Sequence, residues 1–510
     1  MAQPIQGITW PTPGVNGMAR ARSQTVTGPE WCIKAQNCVI DEQGRLAARK
    51  GWNVLNATPM TGSPTIRQIF EYIKGDGTTA VISTGTTAVY TGTTSLSDVT
   101  GTMTAPSAGN WQFVNFNGKL LGWQASHTPC KWTGTGNFAD ATAASGSLPA
   151  GNCAVAAFGR IWACDTDKQT IKYCALLDDT LWDAADGGGS IDMRKVWTKG
   201  MDEVVAITSF GANLVVFGKR HIVFWTDGAG SEIGLDPTQI YVNQVVEDVG
   251  LVARDAMCLL GEVDVAFWSN NGVRTLARTV QEQATPVNQA SPENRDYINS
   301  YLSTGSLVNV RMVYSAKEGF ILLSHPDASR TFCFDVRYPL EGGMLRTMEW
   351  TLYPTAMCSL LNDDLILSPT AGYLGKYEEY DDNEVAYRYI YQGGWTPLNP
   401  EPNLKMLKRA KVAIASRVPI VGSFKWWTDF KGNMQGLQRT WIPPGGSLYN
   451  YLPDQFNYTA EYSGGGGVID KYIPLRKSCQ YIRVGFETEI DGYPFALQYI
   501  TILFEPTRYA

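Results

Sequence analysis

The chain has 510 residues, 44% apolar and 18% charged, with 51 glycines, 16 tryptophans, 24 tyrosines and 18 phenylalanines. That length exceeds a usual single core, so two or more domains are expected, and the glycine–aromatic mixture favours strands and turns over helices. The net charge of −6 offers no overall basic face for sequence-specific nucleic-acid binding, no stretch is apolar enough to span a bilayer, and the start Met1-Ala2-Gln3-Pro4 lacks the basic-then-apolar pattern of a signal peptide.

Taken in order, residues 1–63 begin rich in proline and glycine and continue as short strands. Cys38-Val39-Ile40, a turn at Asp41-Glu42-Gln43-Gly44 and Arg45-Leu46-Ala47 read as a hairpin. From 64 to 380 one unit recurs: an apolar run, a tight turn, a second apolar run, another turn and a third run. Its first turn falls at Gly77, Gly118, Gly159, Gly211, Gly261, Gly319 and Asp363, at spacings of 41 to 58 residues. Ala154–Cys164 and Ala206–Phe217 show the pattern, and Asn270-Asn271-Gly272 between Val265–Ser269 and Val273–Leu276 is a hairpin signal, because its central residues tolerate positive φ. One such sheet cannot bury its own faces, so a series must stack or close. The pattern predicts an all-β fold with a β-propeller of six or seven blades. The longest spacing holds the polar stretch 281–306, where a short rim helix is expected.

At 378–384 the composition turns acidic, which marks the exit from the ring. Residues 381–510 then carry long strand candidates at Ala410–Ala415, Tyr481–Phe486 and Phe495–Phe504, with a Gly/Pro/aromatic loop from Trp441 to Gly467. These residues and 1–63 flank the ring and are expected to form a β-sandwich-like platform into which it is inserted. The densest basic run, Lys405, Lys408, Arg409 and Lys411, reads as a solvated strand face.

The search for chemistry is mostly negative. The three histidines, at 127, 221 and 325, sit in different units and in no metal-binding pattern. Asp165-Thr166-Asp167 lacks the glycine and distal glutamate of a calcium loop and reads as a hairpin turn. No nucleophile elbow, Walker loop or complete dinucleotide fingerprint occurs, nor do the repeated turns of sialidase propellers or the paired signatures of WD40 blades. Ten scattered cysteines without any C-x-x-C read as free thiols used as small hydrophobes in a reducing compartment. No catalytic residue, cofactor or metal is therefore expected. The aromatics Trp426, Trp427, Trp441, Tyr449 and Tyr451, near the long loop, are taken as candidates for a protein interface, with core packing as the alternative.

The string Asn37-Cys38-Val39-Ile40-Asp41-Glu42-Gln43-Gly44-Arg45-Leu46, followed by Arg49-Lys50-Gly51-Trp52, resembles the N-terminal signature of tail nozzle proteins of short-tailed bacteriophages, also called tail tubular protein B or phage stabilisation proteins. Lys50 stands where that signature often has proline. Similar strings occur at Phe158–Trp162, Ile171–Ala175 (with Cys174 for the usual serine), Leu214–Phe217, Ala266–Ser269, Tyr472–Pro474 and Tyr481–Phe486. The resemblance implies a structural virion protein of the viral tail, assembled in the host bacterial cytoplasm without stable membrane insertion. It implies a homo-oligomer, a hexamer whose propellers surround a channel for passage of double-stranded DNA, with the platform docking the tail adaptor ring and fibre or spike proteins. A lumen that lets DNA slide should not grip phosphates, so Glu378, Glu379, Asp381 and Asp382 are candidates to face it. Two other readings stay open: a propeller-type glycan-binding or glycan-hydrolysing tail protein, and a cellular β-propeller interaction scaffold.

Overall fold

The computed structural model describes residues 5–25, 27–198, 200–228, 235–261, 264–277, 290–398, 404–442 and 468–506. Each recurring unit forms a small antiparallel sheet, and seven follow one another among the described residues, at 68–98, 112–140, 154–192, 204–247, 257–275, 311–350 and 357–376. The second strand of a sheet is buried along nearly its whole length, as in Arg160–Cys164 and Phe320–His325. A strand covered on both faces reads as a continuous apolar run, which is why these segments show little alternation. Neighbouring sheets share cores; Phe217 of the fourth meets Phe267 of the fifth at 5.2 Å between ring centroids. The first strand of the seventh sheet, Met357–Ser359, packs back against Gln68–Ile73 of the first. The ring is closed, and the protein contains a seven-bladed β-propeller.

The seven turns picked from the sequence are the seven first hairpins. Gly77, Gly118, Gly159, Gly211, Gly261 and Gly319 all have φ between +56° and +82°, and Asp363 sits at +65°. A side chain strains this region, so glycine is favoured and aspartate is one of the few tolerated substitutes.

The seventh blade is completed from upstream of the first. Asn53–Val54 pairs antiparallel with Gly375–Lys376 as its outermost strand. Part of the segment expected wholly in the platform thus fastens the ring. The short helix expected in 281–306 is Arg295–Asn299, flanked by single 3-10 turns.

The platform is a sandwich of two sheets built from both ends of the chain. In the front sheet, Cys38–Ile40, Leu46–Ala48, Phe495–Pro506, Lys405–Ser416 and Val468–Cys479 lie in that order, and Gln6–Trp10 also pairs with Phe495–Pro506. The back sheet runs Cys32–Gln36, Tyr387–Gly393, Tyr481–Ile490, Ile420–Thr428 and Gln435–Trp441. Their inner faces interdigitate: Phe495 stacks on Phe486 at 5.6 Å and meets the Tyr389 ring edge-on at 4.8 Å, among Val412, Ile473 and Ile500. The back sheet does not end at the platform. Cys32–Gln36 pairs in parallel with Arg346–Trp350, the outer strand of the sixth blade, so blade and platform share one ten-stranded sheet.

Nothing lies within 4 Å of a Cβ placed on Gly211 or Gly261, so alanine there meets only the backbone penalty. Gly211→Ala and Gly261→Ala should each lower stability by about 1 kcal/mol, and Asp363→Gly should be neutral or raise it by a few tenths, read from shifts in urea midpoint.

Candidate functional site

The reactive side chains are arranged for structure. Burial pushes the Cys174 thiol up to about 11 and the Cys358 and Cys479 thiols to about 12, so these three stay protonated at neutral pH. His325 is held below its ordinary value by burial. His221 Nδ1 lies 2.9 Å from Asp202, whose carboxylate also accepts the backbone N–H groups of Lys219 and Arg220. Asp167 accepts from Gln169 and Thr170, which makes the Asp165-Thr166-Asp167 segment a hairpin turn. No group of three or more potential metal ligands occurs among the described residues, and none of their helices is long and apolar enough to cross a membrane.

At one end of the ring axis, charged groups close the opening. Arg254, ahead of the fifth blade, donates across the axis to Asn110 Oδ1 of the second (2.7 Å) and to the Asn152 carbonyl ahead of the third (2.8 Å). Arg311, opening the sixth blade, donates to the Arg67 carbonyl ahead of the first (2.7 Å) and to Asn110 Oδ1 (3.1 Å). Asp255 binds both guanidiniums, at 2.7 and 3.2 Å. Burial pushes its carboxyl up, but the two arginines hold it below the ordinary value. These contacts span five of the seven blades. Every partner sits at the start of an innermost strand, so the axis is sealed at that end and is no conduit.

The second constellation is the joint between ring and platform, made by the motif singled out in the sequence. Asn37 adopts φ = +57° between Cys32–Gln36 and Cys38–Ile40. Its backbone N–H donates to the Glu349 carbonyl (2.8 Å). Its side chain donates to Thr351 Oγ1 and the Arg388 carbonyl and accepts from Thr351 N and Arg49 Nε. Arg49, fully buried, makes a bidentate pair with Asp382 at 2.8 and 2.7 Å. Burial alone would lower the arginine's pKa; Asp382 outweighs that and raises it. The guanidinium also lies over the Tyr387 ring, 4.0 Å from its centroid. Beside it, Gly51 runs so close to Asp381 that any Cβ would overlap the Asp381 carbonyl. Trp52 N–H donates to that same carbonyl (3.0 Å). The departure at Lys50 has a reason here: its N–H donates to Tyr377 Oη (3.0 Å), which proline cannot do, and its Nζ pairs with Glu318 of the sixth blade at 2.6 Å.

The predicted site residues divide. Trp441 is completely buried between the sheets and donates to the Val412 carbonyl at 3.0 Å, and Trp426 is buried beside Phe424. Both are core residues and not surface anchors: they occupy inward-facing positions of the back sheet, a parity the tryptophan content alone did not reveal. Trp427 points the other way and lies half-buried over Gly485. Tyr449 and Tyr451 lie outside the described residues. Of the four carboxylates proposed for the lumen, Asp382 is held by Arg49, and Glu378 lies 3.4 Å from Lys376. Glu379 is exposed and Asp381 half-buried, on the segment joining the seventh blade to the back sheet.

Sequence reasoning missed a groove of about 860 Å³ on the outer face of the back sheet, lined by Arg388, Val421, Gln438, Glu487, Glu489 and Tyr493 among others. At its floor Glu487 binds Arg388 and, at 2.5 Å, Lys425. These residues come from four strands that pairing brings together, and no local pattern announces them. The groove is open and mixes charged groups with apolar ones such as Val418, Ile420 and Val421, a lining suited to contact with another surface.

Ring, sealed axis and sandwich define an all-β protein built as a β-propeller inserted into a platform from its two chain ends. No protein-family model matches the chain, and no curated relative matches it. Among solved structures it is similar to the WD40 β-propeller domain of Doa1 (11% identity, 64% of this chain and 96% of that one, TM-score 0.36). It is also similar to YCF48 bound to D1 peptide (10% identity, 65% and 97%, TM-score 0.36). A third is the extracellular domain of the one-component system BT4673 from B. thetaiotaomicron (11% identity, TM-score 0.41), where 79% of this chain spans 58% of that chain's length.

Arg49→Ala leaves a carboxylate facing a buried void and should cost about 3–5 kcal/mol. Trp441→Ala should cost a similar amount, about 3–5 kcal/mol, through cavity formation. Both are checked by denaturant unfolding. A Trp441→Ala protein as stable as wild type would return that side chain to the surface.

Proposed function

We propose that this chain is a structural subunit of the tail nozzle of a short-tailed bacteriophage, a non-enzymatic protein of the virion. The observation that carries the reading is the joint. The motif on which the resemblance rests, Asn37 to Trp52, is the segment that welds ring to platform through Arg49, Asn37 and Gly51. A signature whose residues serve geometry is what a building block requires. The reading is also consistent with the buried Cys174 thiol, whose pKa burial raises, and with His221 held against Asp202.

In this reading six copies form a ring that retains the genome and lets it leave, and the ring docks the adaptor and the fibre or spike proteins. DNA passes between copies, because each propeller axis is sealed by Arg254, Arg311 and Asp255. The subunits assemble in the host cytoplasm and end in the particle.

Imaging of virions carrying this chain tests the reading. The expected result is a sixfold ring of propellers at the distal end of the tail. Particles that lack the chain, or that hold it as isolated copies on the capsid or fibres, would contradict it.

A further inference from the structure

The outer faces of the platform sandwich each carry exposed charged groups that have no ion-pair partner among the described residues. On the outer face of the front sheet, Lys408 is paired with Glu505 at 2.8 Å and Lys411 with Asp470 at 2.6 Å. Arg409 and Arg476 are exposed and have no ion-pair partner among the described residues. Strand register sets Arg409 opposite Pro474 and Lys411 opposite Tyr472, and the Arg409 guanidinium rides over the half-exposed Tyr472 ring at 5.3 Å from its centroid. Of the basic run seen in the sequence, Lys405 is buried, and Lys408, Arg409 and Lys411 form a propped cation–aromatic face flanked by exposed Met406.

The opposite side carries the groove. Its floor carboxylate, Glu487, is neutralised by Arg388 and Lys425; Glu489, which strand register sets opposite Arg388, and Asp491 at the rim make no ion pair among the described residues. The turn that holds Asp491 is tied to the acidic segment: Gly492 N–H donates to the Tyr380 carbonyl at 2.9 Å, which brings Asp381 alongside. Exposed Val421 and Tyr493 flank this acidic rim. Each side thus presents the same elements with opposite sign: charges without an ion-pair partner among the described residues, beside an exposed aliphatic or thioether group and an exposed tyrosine.

We propose that these two faces bind each other between copies of this chain, head to tail, with the Arg409–Arg476 face of one copy seated on the Glu489–Asp491 rim of the next. A two-fold dimer would set each face against its own like charge; a heterologous contact satisfies both and propagates until it closes. The proposal rests on the reading of the chain as a ring subunit, and it names the surfaces that make the ring.

The test uses the full chain and three variants: Arg409→Glu with Arg476→Glu, Glu489→Lys with Asp491→Lys, and all four substitutions together. Mass is measured by sedimentation over a range of concentration and salt. Wild type should self-associate, more weakly as salt rises. Each single-face variant should associate about tenfold or more weakly, and the four-fold variant, whose faces are again complementary, should recover. All positions are exposed, so thermal unfolding should stay at the wild-type value and separate lost association from lost folding. Wild-type association in both single-face variants, a wild type monomeric throughout, or no recovery in the four-fold variant would overturn the proposal. A sixfold ring in particles together with unaffected single-face variants would sink this interface and leave the nozzle reading standing. Recovery in the four-fold variant from a chain absent from particles would do the reverse.

Discussion

The Arg49 guanidinium, buried completely and paired with Asp382, is the contact on which the architecture turns. A buried charge costs several kcal/mol of lost hydration, regained only when every donor is satisfied. Here Nη1 and Nη2 reach Asp382, Nη1 also reaches the Lys50 carbonyl, and Nε reaches Asn37. Asn37 and Lys50 lie on the same N-terminal segment as Arg49, but Asp382 stands at the exit from the seventh blade, 333 residues further on, so the pair forms only when ring and platform are both in place. The ten-stranded sheet beside it supplies the second tie, through Gln36 and Glu349. Together they fix the angle at which the propeller stands on its base.

Much of this could be read from residues. The seven turns were visible because a positive φ demands glycine or its rare substitutes, and that demand does not depend on context. The long strands of the platform were visible from their apolar content. The boundary was blurred because the outer strand of the seventh blade is only Asn53–Val54, two residues with no periodicity of their own. Trp441 and Trp427 illustrate what sequence leaves open: both are tryptophans in a strand-rich region, but register sends one into the core and the other to the outer face. The groove was illegible for a different reason, since Arg388, Ser423, Gln438 and Glu487 lie on separate strands. The motif itself was legible as a pattern, but its role as a joint emerged only when Asp382 and Glu349 were brought to it.

The ring carries another tie that does not involve the platform. Arg254, Arg311 and Asp255 clasp the starts of inner strands from five blades and bridge the axis at that end. Of the basic run, Lys408, Arg409 and Lys411 lie on the outer face of the front sheet and Lys405 is buried, while the acidic run divides between the joint, at Asp382, and the seventh blade, at Glu378.

The central claim is that ring and platform form one mechanical unit through the joint. Native-state hydrogen exchange on the intact chain tests it most directly. The amides of Asn37 and Trp52, which donate to Glu349 and Asp381, should exchange only through the same opening that exposes the strands Phe320–His325 and Tyr481–Ile490. Exchange of the two joint amides at a much lower opening free energy, with propeller and platform strands opening independently, would contradict it.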